Sequence, residues 1–339
     1  MIDRVVKAAR HLPFISKPAV LERVASGYFR SLILRQDTLR SLELALTYRC
    51  QAKCHKCYSA NMENDDHAYL TVTEIGDLIA QAIELGIIHV NLTGGEPTLR
   101  KDLLDVIRAC QPRRVVVSLV TNALLLTRQK MADMKAAGLN TIQISLDAAD
   151  AAEHDRLRGV PGCYDKVIRA GRWAHEVGLN LCFSTVLSTE TSSNKRKMYD
   201  LLALCEREDA FLLICDSAAV GGWSGQAEKM MTCQERNDAL AELLRHPRAR
   251  HHNMYNFRGR SGCPAGVEKI YITAYGEVTP CDLVHDIAGN LKQEPLKAIW
   301  DRMRLHPLYR QKMVDCPRYK EEFSSREPLQ SPPLSEGPA

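Results

Sequence analysis

The chain has 339 residues, a formal net charge of +4 and 45% hydrophobic residues. This length suits one large domain with an appendage, and the composition is that of a globular protein. The small net charge gives no support for nucleic-acid binding, and no apolar run reaches the roughly 18–20 residues that a membrane span needs. Twelve cysteines without a signal peptide indicate metal ligands and reduced thiols rather than disulfides, so we expect a cytoplasmic location.

The N-terminal segment, residues 1–40, is basic, with eight Lys or Arg against three Asp or Glu. Leu21, Val24, Tyr28 and Leu32 recur at helical spacing, which predicts an amphipathic helix. One interpretation is a helix packed on the main domain. The other is a surface for an anionic partner or a membrane.

From residue 42 onward, strand and helix patterns alternate, which predicts parallel strands joined by right-handed crossovers. The predicted strands are 42–46, 87–92, 115–121, 141–146, 179–187 and 211–215. The predicted helices between them are 72–85, 101–109, 128–137, 164–177 and 195–207. Periodicity alone allows an open sheet or a barrel. We assign this core to residues 41–230 and expect a helical linker at 231–262.

Three cysteines, Cys50, Cys54 and Cys57, lie within eight residues just after the first predicted strand. Thiolates are the soft ligands that iron–sulfur clusters need. A short loop at a strand end can fold three thiolates around one face of a cubane, and three ligands leave one iron open to a small molecule. A structural zinc knuckle and unrelated buried cysteines are the alternatives.

A second motif, Gly94-Gly95-Glu96-Pro97, follows the second predicted strand. Two glycines let the backbone approach a ligand closely, Glu96 can accept hydrogen bonds from an amine, and Pro97 fixes the turn. The cysteine triplet followed by this turn resembles the radical S-adenosylmethionine (radical SAM) superfamily.

The resemblance implies an α/β fold, a partial (β/α)6 TIM-like barrel with its site at the C-terminal ends of the strands. It also implies a [4Fe–4S] cluster whose open iron binds the amino and carboxylate groups of S-adenosylmethionine, with the glycine–glutamate turn meeting the amino group. Such a cluster cleaves S-adenosylmethionine to a 5′-deoxyadenosyl radical that abstracts hydrogen from a substrate. We therefore expect an enzyme with a reductant such as flavodoxin or ferredoxin.

Further polar residues near predicted strand ends are candidates for binding this cofactor. Ser145 and Asp147 are two residues apart, so they could share a strand face and contact a ribose, although Asp147 could simply cap the next turn. Arg158, in a segment that looks like a common one of the family, could bind a carboxylate or make a structural ion pair. Tyr58 and Asn122 complete the candidates.

Cys215 ends the sixth predicted strand and is a candidate hydrogen donor to a substrate radical. A lone cysteine is otherwise a small buried hydrophobe. The loop at residues 221–225, which follows this strand, could close over a substrate or serve only as a connection.

Residues 263–320 form a small C-terminal extension, which we expect to be a hairpin followed by a helix. Its cysteines, Cys263, Cys281 and Cys316, resemble the shortened auxiliary-cluster extension of the superfamily, the twitch form related to the SPASM domain. The resemblance implies a second [4Fe–4S] cluster on these three thiolates, with Asp282, another side chain or the substrate as fourth ligand. A remnant without a cluster is the alternative. We expect residues 321–339, rich in Pro and Ser, to be disordered.

The sequence leaves the substrate open. Because no peptide-recognition domain is evident before residue 42, it favours a small polar molecule such as a sugar, an aminocyclitol or a nucleoside. One alternative is a maturase that modifies a peptide. Another is a non-catalytic iron–sulfur protein that transfers electrons or serves as a scaffold, but electron transfer needs no amine-binding Gly-Gly-Glu-Pro turn.

Overall fold

The computed structural model describes residues 17–192, 195–252 and 263–310. Within these residues one ten-stranded sheet has the order β10-β9-β8-β1-β2-β3-β4-β5-β6-β7. Its strands are β1 (Ser41–Ala45), β2 (His89–Thr93), β3 (Val116–Thr121), β4 (Thr141–Ser145), β5 (Asn180–Leu187), β6 (Phe211–Asp216), β7 (Ala249–His251), β8 (Lys269–Ile272), β9 (Glu277–Thr279) and β10 (Gly289–Asn290). Strands β1 to β7 are parallel to one another, and β8 is parallel to β1.

Helices connect the strands in the order that the sequence pattern predicts. They are α1 (Pro18–Tyr28), α2 (Val72–Glu84), α3 (Leu103–Ala109), α4 (Arg128–Ala137), α5 (Ala151–Arg158), α6 (Cys163–Glu176), α7 (Thr189–Ser192), α8 (Lys195–Arg207), α9 (Cys233–Leu243), α10 (Leu296–Leu305) and α11 (Pro307–Arg310). A π-helical turn (Phe29–Ile33) extends α1, and short 3-10 turns occur at Pro97–Leu99, Gly221–Trp223 and Ala227–Lys229.

Alternation along β1 shows how the strands serve two surfaces at once. Leu42 and Leu44 are fully buried in the apolar core, whereas Glu43 lines a cavity inside the barrel. Successive side chains of a strand point to opposite faces, so the same strand packs on helices and builds the site.

Helix α2, which follows the cysteine loop, begins with a capping box between Thr71 and Glu74. The box satisfies two backbone N–H groups that the start of a helix leaves unpaired.

The partial barrel of six strand–helix units is confirmed. One detail of the predicted linker at 231–262 is wrong, because this segment holds a strand as well as helix α9. That strand, β7, pairs in parallel with β6 at the barrel's edge. It has only three residues, too few for alternation to be visible in the sequence.

The N-terminal helix packs on the barrel through a face that the sequence pattern does not indicate. Val20, Gly27 and Ser31 are buried, whereas Leu21 and Tyr28 of the predicted apolar stripe are 46% and 44% exposed. Helical spacing shows that residues share a face, but not that another element covers that face.

The C-terminal extension continues the barrel sheet, because β8 pairs with β1 and β9 pairs antiparallel to β8. The hairpin turn uses Gly276 at φ +92°, a conformation that favours glycine. Helix α10 is fixed to the hairpin, since Nε1 of Trp300 donates to the carbonyl oxygen of Val267 at 2.9 Å. Cys316 and the predicted disordered tail at 321–339 lie outside the described residues.

Candidate active site

The C-terminal ends of the parallel strands surround a cavity of about 230 Å³. Most of the sequence-predicted site residues line it: Cys50, Cys54, Cys57, Tyr58, Gly94, Gly95, Asn122, Ser145, Asp147, Arg158 and Cys215. Glu96 and Pro97 are buried but do not line it. The fold therefore brings the cysteine triplet, the glycine turn and the polar strand ends to one place.

The two glycines of the turn let the neighbouring loop approach. A Cβ atom on Gly94, which has φ +125°, would lie 2.2 Å from the carbonyl oxygen of Thr47, and one on Gly95 would lie 2.5 Å from that of Arg49. The N–H of Gly95 donates to Thr47 at 2.7 Å, and that of Glu96 donates to Arg49 at 2.9 Å. Because residue 49 immediately precedes Cys50, the turn positions the start of the cysteine loop.

The Glu96 carboxylate is fully buried and joins β2 to β3. Its Oε1 accepts from the Thr98 hydroxyl at 2.5 Å and from the Thr121 hydroxyl at 2.7 Å, and its Oε2 accepts from the N–H of Asn122 at 2.8 Å. Burial raises the pKa of Glu96, and the hydrogen bonds offset only part of this effect. The expected contact with an amino group stays a prediction, and the structure adds a second role in holding the strand ends together.

Asp147 is the centre of a buried charge cluster beside the cysteine loop. Its Oδ1 lies 2.6 Å from Nζ of Lys56, and its Oδ2 lies 2.7 Å from Arg158. Burial alone would raise the pKa of Asp147, but Arg158 and Lys56 outweigh burial and hold this pKa below its usual range. Of the two alternatives for Arg158, the structure shows the ion pair, and the binding of a carboxylate in the cavity that Arg158 lines stays a prediction. The ribose contact of Asp147 stays a prediction.

Backbone and side-chain N–H groups point at two of the three thiols. The Cys50 sulfur accepts from the N–H of Ala52 at 3.4 Å and from Nδ2 of Asn122 at 3.5 Å. Nη1 of Arg158 lies 3.6 Å from the sulfur of Cys54. Burial raises the pKa of the free Cys50 thiol to about 11, and a metal would displace that proton. Three thiols on one cavity wall, surrounded by N–H donors, fit a [4Fe–4S] cluster.

Tyr58 and Ser145 lie on the wall of the same cavity. The hydroxyl of Tyr58 is 3.4 Å from that of Thr93, and its ring meets Tyr271 edge-on with the centroids 6.5 Å apart. Burial raises the pKa of Tyr58 well above its usual value, so the side chain stays neutral. Contact of either residue with a cofactor stays a prediction.

The loop after β6 packs against the backbone of the cysteine loop, a contact that the sequence analysis did not predict. A Cβ atom on Gly221 would lie 2.1 Å from the carbonyl oxygen of Cys57, and one on Gly222 would lie 2.2 Å from that of His55. The N–H of Gly222 donates to Cys57 at 2.8 Å, and buried Trp223 lines the cavity. The Gly-Gly pair was the available signal, but nothing in the sequence says which backbone it must approach.

The end of β6 places Cys215 on the cavity wall, as a hydrogen donor would require, and this role stays a prediction. Burial raises the pKa of its thiol well above the usual value.

The next residue, Asp216, is the centre of a separate polar cluster. Its two carboxylate oxygens accept from the Arg236 guanidinium at 2.6 and 2.8 Å. Nε2 of His251 lies 3.2 Å and Nε2 of His252 lies 3.0 Å from the same carboxylate. This grouping resembles a metal site, but Arg236 contacts both carboxylate oxygens, so we interpret it as a hydrogen-bonded cluster.

The extension adds a second charged group to the cavity. Nζ of Lys269 lies 3.0 Å from Oε1 of Glu43 and 3.4 Å from Oδ1 of Asp282, and both acids line the cavity. Burial raises the pKa of Glu43, and the contact with Lys269 offsets this only in part. Asp282, the sequence candidate for a fourth cluster ligand, therefore has a cation partner in this structure.

Two of the three expected auxiliary ligands, Cys263 and Cys281, are described at the two ends of the hairpin. The N–H of Gly266 donates to the carbonyl oxygen of Pro280 at 3.2 Å, which joins the two ends. Thiols at both ends of one hairpin fit a second cluster of the kind that the extension implies. The third, Cys316, falls outside the described residues.

Comparison with known proteins agrees with this site. Residues 44–202 match the model of the radical SAM superfamily, and residues 263–322 match the SPASM model, an iron–sulfur cluster-binding domain. The chain is 24% identical over 281 residues to a PqqA peptide cyclase of Rhizobium meliloti, covering 78% of this chain and 74% of the relative. It is 23% identical over 294 residues to an AdoMet-dependent heme synthase of Methanosarcina barkeri, covering 80% and 84%.

Among solved structures, SuiB of Streptococcus suis bound to the precursor peptide SuiA has the same fold. The TM-score is 0.65 at 19% identity, covering 86% of this chain and 69% of that one. Family models match both the barrel and its extension, and the cysteine triplet lines the expected cavity. The chain therefore belongs to the radical SAM superfamily and is a radical SAM enzyme with a SPASM-type C-terminal extension.

Proposed function

We propose that this enzyme modifies a side chain of a precursor peptide. The observation that carries the proposal is the sequence similarity, over 73–78% of the chain, to peptide cyclases whose substrate is the peptide PqqA. This revises the sequence-based preference for a sugar, an aminocyclitol or a nucleoside, which the peptide cyclases do not support. That preference followed from seeing no evident peptide-recognition domain before residue 42, but recognition of a peptide can use other surfaces.

The size of the cavity is consistent with a peptide substrate. At about 230 Å³ it lies below the roughly 300–1,000 Å³ of ordinary ligand sites, and bound S-adenosylmethionine must take a share of it. A single side chain that enters from outside needs less of this room than a complete nucleotide-linked sugar does. In such a complex the rest of the peptide would lie on the surface around the cavity.

The residues of the active site would have separate roles. Cys50, Cys54 and Cys57 would hold the [4Fe–4S] cluster, and S-adenosylmethionine bound to it supplies a 5′-deoxyadenosyl radical. Arg158 and Asp147 would fix the cluster loop against the end of β4. Polar groups of the extension would meet the substrate on the opposite part of the cavity wall.

The test is a reaction of the anaerobically reconstituted, reduced enzyme with S-adenosylmethionine and the short peptides encoded beside its gene. We expect 5′-deoxyadenosine together with a peptide whose mass has changed and whose fragmentation places the change on one or two side chains. The matched control is Cys54→Ala with the same peptides. Release of 5′-deoxyadenosine with every peptide unchanged would contradict the proposal without touching the assignment as a radical SAM enzyme.

A second candidate follows from the heme synthase relative, which this chain matches over 84% of the relative's length. An enzyme of that kind would act on a tetrapyrrole. Anaerobic titration with an iron porphyrin separates the two, because a tetrapyrrole substrate would show a saturable shift of its absorption band.

A further inference from the structure

Apolar side chains are concentrated on one part of the protein surface. Of the ten large hydrophobic side chains that are exposed in the described residues, six lie between residues 21 and 34. They are Leu21, Tyr28, Phe29, Leu32, Ile33 and Leu34, which we call the N-terminal apolar surface. Phe29 is 54% exposed and Ile33 is 67% exposed, and exposed apolar surface gathered in one place marks an interaction site.

The spacing of these residues gives the surface its shape. Leu21, Tyr28 and Leu32 follow one another at helical spacing along α1 and the π-helical turn, so they form a stripe along the helix. A neighbouring face of the helix, about 100° around its axis, packs on the barrel through buried Val20 and Gly27. The helix therefore lies flat on the protein with an apolar stripe facing outward.

Basic residues lie close to this stripe in the sequence. Between residues 17 and 36 there are four Lys or Arg and one Glu, and residues 1–16 add three Lys or Arg and one Asp. Arg30 and Arg35 lie within the apolar sequence, and neither forms an ion pair with a described carboxylate. An apolar stripe with basic residues beside it is the pattern of helices that lie in the interface of an anionic membrane.

The position of the helix leaves the active site accessible. Lys17 donates to Pro112 and Val115, which precede β3, and Arg23 donates to the carbonyl oxygen of Ile83 near the end of α2. These contacts place α1 at the N-terminal ends of the strands. The cavity opens at the C-terminal ends, so a flat partner on α1 would not cover it.

We propose that the N-terminal apolar surface docks the enzyme on the surface of an anionic lipid bilayer. Phe29, Ile33 and their neighbours would enter the headgroup region, and Arg30 and Arg35 would contact lipid phosphates. The enzyme would then present its cavity away from the membrane. This proposal does not depend on which substrate the enzyme uses.

The test is flotation of the full chain with vesicles of phosphatidylglycerol and phosphatidylcholine, compared with vesicles of phosphatidylcholine alone. We expect binding to the anionic vesicles that weakens as salt is added. The double variant Phe29→Ser/Ile33→Ser should partition at least about tenfold less, because two apolar side chains no longer leave water. Arg30→Gln/Arg35→Gln should lose the preference for anionic lipid.

The matched control is Leu305→Ser, which removes an apolar side chain that is 55% exposed elsewhere, and it should bind like the wild type. S-adenosylmethionine cleavage in vesicle-free buffer should be equal in all variants, which shows that they are folded. Failure of the wild type to float, or equal flotation of the double variant, would overturn the proposal. A concentration-dependent dimer that is lost only in the double variant would also overturn the proposal, because the surface would then bind a second copy of the chain.

Discussion

Nη1 of Arg158 lies 3.6 Å from the sulfur of Cys54, and Nη2 of the same guanidinium lies 2.7 Å from Oδ2 of Asp147. One side chain thus connects the cysteine loop to the end of β4, and Arg158 itself is 104 residues from Cys54 in the sequence. Hydrogen bonds and positive charge near a ligating sulfur stabilise the reduced, more negative form of an iron–sulfur cluster. Arg158 should therefore affect the cluster's reduction potential as well as the position of the loop.

Arg158→Gln should lower the midpoint potential of the reconstituted cluster, because a positive charge next to Cys54 is lost. It should also destabilise the protein by about 2 kcal/mol, since Asp147 loses one charged partner and keeps Lys56. An electron paramagnetic resonance titration measures the potential, and denaturant unfolding of the metal-free protein measures the stability. Arg156→Gln, an exposed arginine on the same helix, is the control. Equal potentials in both variants would rule out this effect.

Cys54→Ala should abolish S-adenosylmethionine cleavage while the barrel stays folded, because two thiolates cannot hold an open-site cubane. The apolar core is built from the strands and helices and does not include this loop. Production of 5′-deoxyadenosine, with circular dichroism as the check on folding, measures the effect. Cys233→Ser, at the start of α9 and away from the cavity, should cleave normally. Normal cleavage by Cys54→Ala would contradict the cluster assignment.

Glu96→Gln should cost about 1–3 kcal/mol of stability, because either orientation of the new amide places a donor beside a backbone N–H, that of Asn122 or that of Thr98. If Glu96 also meets the amino group of S-adenosylmethionine, Glu96→Ala should weaken cofactor binding by roughly ten- to over a hundredfold. Unfolding of the metal-free protein and the dissociation constant of the reconstituted protein separate the two roles. A loss of stability with an unchanged dissociation constant would leave Glu96 with the structural role alone.

The sequence predicted the six core strands to within two residues at either end, because buried strands alternate with amphipathic helices in one regular rhythm. It also located the cysteine triplet and the glycine turn, whose residue types carry the chemistry themselves. It could not show that Lys56 and Arg158 both reach Asp147, because three residues far apart in sequence must first be folded together. The sequence also could not show that Leu21 is exposed, because this depends on which elements the fold brings against the helix.

Gly221→Ala should reduce iron incorporation more than its local backbone strain explains, because its Cβ would lie 2.1 Å from the carbonyl oxygen of Cys57. Gly225 provides a matched control in the same loop. Its φ is +77° against +56° for Gly221, but a Cβ there meets nothing within 4 Å. Both alanines pay a similar strain of roughly 1–2 kcal/mol, so the difference in iron per chain after reconstitution reports the contact with the cysteine loop. Equal iron contents would show that this contact is dispensable.

The final prediction concerns the auxiliary cluster on Cys263, Cys281 and Cys316. The first two are held at the ends of one hairpin, whose strands join the sheet through β8 and β1 rather than through the cysteine loop. Because these supports do not involve the first triplet, the auxiliary site should fill without it. A variant with alanine at positions 50, 54 and 57 should therefore retain about four irons per chain after anaerobic reconstitution, as expected of one cubane.

Adding Cys281→Ala to that variant should bring iron to background, since two thiolates remain. Iron analysis together with circular dichroism distinguishes an empty site from an unfolded chain. Background iron in the folded triple variant would mean that the extension has kept its hairpin and lost its cluster. Its role would then be the charged contact of Lys269 with Glu43 and Asp282 on the cavity wall.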